Sequence, residues 1–243
     1  VEFADGSDLV GTISTSTTNT GSVTYHGAST VTSAVGTTNS LASVTIQGGT
    51  VTLNSGSDWG VRTTFIRTNT ASATAGTLKL GQNSTLTGIV RVTDDPAVTG
   101  ASTLDLSQYR ATISDTLEIA SGAMLRTTVS TVSGTSTTAG YVNAGSTNVS
   151  TGSLLDVDVQ AQHVENGAVF MLVDSNGTAV GVPGTTTDNS ATLSFTPSVN
   201  GANDLVMTAA RANLSTLATN ANGSEVGQTL NGFSTGASGD IAT

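Results

Sequence analysis

Apolar residues along this chain recur two apart, between turns of Gly, Ser, Thr and Asn. Val23 and Tyr25 form the first such pair, then Val44 and Ile46, Val51 and Leu53, Leu78 and Leu80, and Leu104 and Leu106. The pattern continues at Leu117 and Ile119, at Leu155, Val157 and Val159, and at Leu193 and Phe195. A period of two places alternate side chains on one face, so each pair predicts a short β-strand with one face buried. The flanking Gly, Asn, Ser and Thr supply the turns.

On this pattern strands are expected at Ser22–His26, Thr30–Ala34, Ala42–Gln47 and Thr50–Asn54. Ser57-Asp58-Trp59-Gly60 interrupts the pattern, and Val61–Arg67 resumes it. Thr77–Leu80, Thr85–Val92, Ser102–Leu106, Thr112–Ile119 and Met124–Val129 follow. Gly48-Gly49 fits either a hairpin or a corner between successive sides of a coil. Ser130 to Ser153 is poorer in apolar residues and fits either a loop excursion or two thin layers of strand.

Two changes of character divide the chain into residues 1–150, 151–210 and 211–243. In the second part Leu154–Val159, Ala168–Val173, Thr192–Thr196 and Leu205–Ala209 are more strongly apolar, with Phe170, Leu172 and Met207 among their core candidates. Asn166-Gly167, Asn176-Gly177, Asn200-Gly201 and Pro183-Gly184 separate them. Asn-Gly suits type I′ turns, so hairpins are expected in this part. In the third, Leu214, Leu217, Ala218 and Ala221 fall at helical spacing, with Asn213 near a capping position. Gly223 is expected to break the helix, and Val226, Leu230 and Phe233 to restart it. Ser234–Thr243 reads as a mobile tail.

Many short strands with little helix between them, their strong segments spaced irregularly but on the order of the ~20–29 residues of parallel solenoid repeats, predict stacked layers of β-structure, a solenoid. Composition agrees with a narrow core. Of 243 residues, 36% are hydrophobic and 4% aromatic, less than a compact globule of this size normally buries. Charged residues make up 10% of the chain, which argues against charge-driven disorder.

The net charge is −10, and Arg62, Arg67, Lys79, Arg91, Arg110, Arg126 and Arg211 are dispersed. Without a basic cluster to neutralise phosphates, nucleic acid is excluded as an expected partner. The absence of cysteine excludes disulfides and thiolate metal sites. No apolar run reaches the length of a membrane-spanning helix. The start at Val1-Glu2-Phe3 suggests a piece cut from something larger.

Chemistry-bearing residues are few. Asp94-Asp95-Pro96, near Arg91, is the densest acidic spot and could supply the carboxylate pair of a glycan-cleaving enzyme. No stacking aromatic accompanies it, and a turn explains it as well. Asp94, Asp95, Asp156 and Asp158 are the candidate calcium ligands, although calcium takes six to eight oxygens. His26 and His163 are too few for a zinc site without carboxylate help. No Gly-x-Ser-x-Gly elbow is present. Thr50 and Thr52 could begin an ice-binding hydroxyl ladder, or merely suit an exposed sheet face. Trp59 could anchor a glycan from a loop or plug the stack. No catalytic residue and no cofactor is therefore assigned.

The segment Gly167-Ala168-Val169-Phe170-Met171-Leu172-Val173-Asp174, with Asn189–Thr196 and Asn203–Arg211, resembles the end of an autotransporter (type V secretion) passenger domain. Leu214–Phe233, with Asn220-Ala221-Asn222 and Gly239-Asp240-Ile241-Ala242, is similar to the linker that leads into the outer-membrane barrel. Gly21–Thr32, Gly48–Leu53 and Leu80–Gly88 resemble repeats of large surface autotransporters. The resemblance implies an all-β, right-handed parallel β-helix exported to the bacterial surface, with the last strands acting as a folding nucleus. It implies adhesion or surface scaffolding rather than catalysis. The implied partners are ligands on host or neighbouring cells, other copies of the chain, and the cognate barrel. A self-assembling surface-layer or filament subunit is the alternative, and a glycan-cleaving β-helix a third.

Overall fold

The computed structural model describes residues 1–54, 58–133, 136–161, 163–178, 180–216 and 220–236. Ser57, Leu217, Ala218 and the tail from residue 237, including Gly239-Asp240-Ile241-Ala242, lie outside the described residues. The chain is mostly β. Its strands begin with β1 (Glu2–Phe3), β2 (Thr20–Tyr25), β3 (Ser29–Val31), β4 (Leu41–Gln47), β5 (Gly49–Leu53) and β6 (Trp59–Arg67). They continue with β7 (Gly76–Leu80), β8 (Ser84–Thr93), β9 (Thr103–Asp105), β10 (Arg110–Ile119), β11 (Met124–Ser133) and β12 (Ser136–Ala139). The last are β13 (Tyr141–Val149), β14 (Leu154–Val159), β15 (Val169–Asp174), β16 (Thr185–Asp188), β17 (Leu193–Val199) and β18 (Leu205–Arg211).

These strands form two open, mainly parallel sheets. The first runs β1-β2-β4-β6-β8-β10-β13-β15-β18-β17 and the second β16-β14-β11-β9-β7-β5-β3. From β2 to β11 consecutive strands alternate between the sheets, so each of β2 to β9 pairs with the strand two places on. Every pairing of named strands from β1 to β10 within this stretch is parallel. Gly48-Gly49 is thus a corner between β4 in one sheet and β5 in the other. Both glycines have positive φ, 83° and 70°. A Cβ on Gly49 would collide with the backbone of Gly27 and Ala28 in the layer beside it, so only glycine fits this close approach.

The inward positions align in columns. In the second sheet Val51, Leu78, Leu104, Leu125 and Leu155 are register partners in sequence, and all are buried. In the first, Tyr25, Ile46, Ile66, Val92, Ile119 and Val149 do the same and are likewise buried. Val23, Val44, Leu53, Leu80, Leu106, Val157, Phe170, Leu172, Phe195, Leu205 and Met207 are also buried, while Leu193 is partly covered. The columns explain how a chain with few aromatics encloses a core: each side chain packs on its neighbours one strand above and below.

The region between β11 and β14 contains both a short excursion and a layer strand. Strand β12 folds back antiparallel on β11, and β13 rejoins the first sheet parallel to β10. Past residue 150 the parallel pairing persists in β14 and β16. The antiparallel hairpin is β17–β18, closed through Asn200. β18 also pairs antiparallel with β15 and so covers the end of the first sheet. Asn176-Gly177 has positive φ at both residues (49° and 80°), yet it leads from β15 in one sheet towards β16 in the other. Its backbone geometry suits a tight turn, and the apolar columns decide where the chain goes next.

Beyond β18 a short 3-10 turn, Leu214–Thr216, precedes helix α1 (Ala221–Gly236). Asn213 caps the turn by accepting from Ser215 N at 3.0 Å, and Asn220 caps α1 by accepting from Gly223 N at 2.8 Å. Gly223 therefore lies within the helix rather than breaking it. Among the described residues no helix is long and apolar enough to cross a membrane.

Candidate functional site

The second sheet aligns charges of both signs across neighbouring strands. Register places Thr30, Thr52, Lys79, Asp105, Arg126, Asp156 and Thr187 in one column across β3, β5, β7, β9, β11, β14 and β16. These residues are outward because their neighbours at i±1, such as Leu78, Leu104 and Leu155, take the inward places. A groove of about 550 Å³ lies along this column from Thr52 to Asp158.

Within the groove the charges are unequally satisfied. Arg126 Nε donates to Asp156 Oδ2 at 2.6 Å, and Thr187 Oγ1 donates to Asp156 Oδ1 at 2.8 Å. Asp158, two residues along β14, accepts from Gln160 Nε2 at 2.6 Å and from Asn189 Nδ2 at 2.7 Å. All four oxygens of these two carboxylates are thus engaged by protein donors. Asp105 differs. It is only 6% exposed, and its Oδ1 takes both the Ser107 backbone N–H at 2.8 Å and the Ser107 hydroxyl at 3.4 Å. Among the described residues nothing donates to its Oδ2, although Lys79 and Arg126 are its register neighbours on either side. Lys79 is exposed and has no ion pair or hydrogen bond among the described residues.

Gln108 and Tyr109, in the turn after β9, line the groove and also a second recess of about 220 Å³ with Tyr141 and Arg110. Tyr109 is half-buried, its inner side packed on the core. Two of the chain's three tyrosines therefore flank adjoining depressions. The third, Tyr25, is buried, and burial pushes its hydroxyl pKa up to about 12.

The remaining candidates lie elsewhere. Asp94 and Asp95 occupy the turn after β8, where Asp94 accepts from Ser102 N at 3.1 Å and Asp95 from Ala97 N at 3.0 Å. Arg91 pairs with Glu118 at 2.7 Å rather than with either. Among the described residues no three of His, Asp and Glu come together as a metal site needs. His26 lies 3.7 Å from Glu2, and His163 bonds Arg211 at 2.8 Å. Trp59 opens β6 and is fully buried, with Leu86 as its register partner; it plugs the stack and presents no surface. The Thr50 column continues through Thr77 and Thr103, but Lys79 and Asp105 break the Thr52 column, so the two do not form a flat hydroxyl plane.

Asp105, Tyr109 and Lys79 were not singled out as a site from the sequence. Their only local signal is a charged residue alternating with Leu, as in Leu78-Lys79-Leu80 and Leu104-Asp105-Leu106, which any half-buried strand shows. No protein family matches the chain, and no curated protein matches it.

Proposed function

We propose that this chain is a stretch of right-handed parallel β-helix from an autotransporter passenger, exported to the bacterial surface, where it acts in adhesion and not in catalysis. The alternation of strands between two parallel sheets and the continuous apolar columns support a solenoid. The C-terminal segments resembling a passenger end support the secretion route. The observation that carries adhesion is the outer face of the second sheet. There, polar and charged side chains are fixed in register along a groove, while Asp156 and Asp158 are engaged by protein donors. Carboxylates held in that way suit a rigid recognition surface better than acid–base chemistry. Repetition of weak contacts along a rod multiplies affinity when many copies are displayed.

Beads coated with the purified chain should attach saturably to host or neighbouring bacterial cells, and free chain should compete. Cells that ignore the beads, with regular lattices or fibres in electron micrographs, would replace adhesion by self-assembly.

A further inference from the structure

We infer that the groove on the second sheet binds a neutral oligosaccharide, with Asp105 as the principal hydrogen-bond acceptor. The inference rests on the adhesive reading and gives it a ligand class. Asp105 carries it. Asp105 as a residue is only 6% exposed, and among the described residues only its Oδ1 has protein donors; Oδ2 is not one of the buried polar atoms and opens on the groove that the residue lines. Its second oxygen is placed to accept from a ligand. A carboxylate whose other oxygen is fixed by Ser107 offers a preoriented, charge-assisted acceptor to ligands that bring a donor.

The surroundings narrow the class. Lys79, one strand away, offers donors that have no protein partner among the described residues. Gln108 and Gln160 add amides that both donate and accept. Tyr109 supplies a half-buried ring in the groove lining, of the kind that packs on the apolar face of a sugar. Alternating donors and acceptors with an aromatic edge suit a chain of hydroxyl groups.

Other ligand classes fit less well. A divalent cation would face Lys79 and Arg126 interleaved with the carboxylates, and Asp156 and Asp158 have no free oxygen. A uronic-acid polymer would meet Asp105, Asp156 and Asp158 against Lys79 and Arg126, on a chain of net charge −10. An extended peptide adding to a sheet needs a free edge, whereas the groove lies on a face. From Thr52 to Asp156 the column crosses four strand-to-strand steps, about 19 Å at the usual spacing, a length for several sugar units.

The test is a titration of the whole chain with neutral tri- to hexasaccharides of glucose, mannose, galactose and N-acetylglucosamine, beside uronate oligomers of equal length. It is read by calorimetry and ligand-observed NMR. Saturable binding of at least one neutral series is expected, with uronates weaker. Asp105→Asn keeps an oxygen for Ser107 but replaces the free acceptor by an amide donor. It should weaken binding by about tenfold or more, while Asp94→Asn in the distant turn leaves it unchanged. Tyr109→Ala should also weaken binding. Circular dichroism of each variant checks that it is folded, and a misfolded Asp105→Asn is replaced by Lys79→Met, which should weaken binding too. The proposal is overturned if no neutral oligosaccharide binds, if uronates bind more tightly, or if folded Asp105→Asn binds as the parent does. Cell attachment without saccharide binding would sink this inference and spare adhesion; saccharide binding without cell attachment would do the reverse.

Discussion

Leu104→Ala tests whether the apolar columns hold the two sheets together. Leu104 is fully buried between its register partners Leu78 and Leu125. Truncation removes three carbon groups, about 2.4 kcal/mol of transfer free energy at ~0.8 kcal/mol each. A cavity term adds to this, because the site cannot collapse easily. Hydrogen bonding fixes the strands above and below at about 4.8 Å. The expected total is about 3–4 kcal/mol, within the range for buried Leu→Ala changes. Leu193→Ala is the control: Leu193 is only partly covered, at the end of the hairpin β17–β18, and should cost about 1 kcal/mol or less. Urea unfolding followed by the fluorescence of Trp59, the single tryptophan and a fully buried one, measures both. A cost for Leu104→Ala below about 1.5 kcal/mol, or no greater than that of Leu193→Ala, would refute the column reasoning.

Three further outcomes follow from particular contacts. The Tyr25 hydroxyl is buried without a hydrogen-bond partner among the described residues, and its pKa is raised to about 12. The folded state therefore favours the neutral phenol: this contribution is complete below pH ~10 and is lost as pH rises through about 12. Tyr25→Phe should flatten that alkaline loss in a pH series of urea midpoints without lowering stability at neutral pH. Gly49→Ala combines a φ of 70° with a collision against Gly27 and should cost more than about 2 kcal/mol, seen as a lowered thermal midpoint. The Arg126–Asp156 pair is partly exposed, at 42% and 23% of its side chains. A double-mutant cycle with Arg126→Met and Asp156→Asn should give a coupling of about 1 kcal/mol or less, smaller still in high salt.

Some of the fold was legible because a period of two needs no knowledge of partners. Val51-Thr52-Leu53 and Leu78-Lys79-Leu80 announce strands, and they are β5 and β7. Strands without an apolar pair were invisible: β1, β12 (Ser-Thr-Thr-Ala) and β16 (Thr-Thr-Thr-Asp) exist because a neighbouring strand offers its edge, not because of their own composition. Trp59 stayed open between a loop and a plug in the stack for a related reason. Its immediate neighbours are turn residues, but the layer beside it provides Leu86 to pack on.

The candidate site was not legible. Lys79, Asp105, Arg126 and Asp156 are separated by 26, 21 and 30 residues. The turns between them vary in length, so no fixed repeat aligns them. Only backbone pairing between layers sets the register that stacks them. Among the described residues the same pairing leaves one oxygen of Asp105 without a protein donor while filling those of Asp156 and Asp158.

By itself, then, the sequence determined which segments with an apolar pair are strands and which of their faces is buried, since alternation and turn chemistry are local properties. The tertiary structure decided which strands are neighbours, whether Gly48-Gly49 is a hairpin or a corner, and which outward residues share a column. Those depend on contacts between residues 20 or more positions apart, whose geometry arises only when successive layers hydrogen-bond to one another.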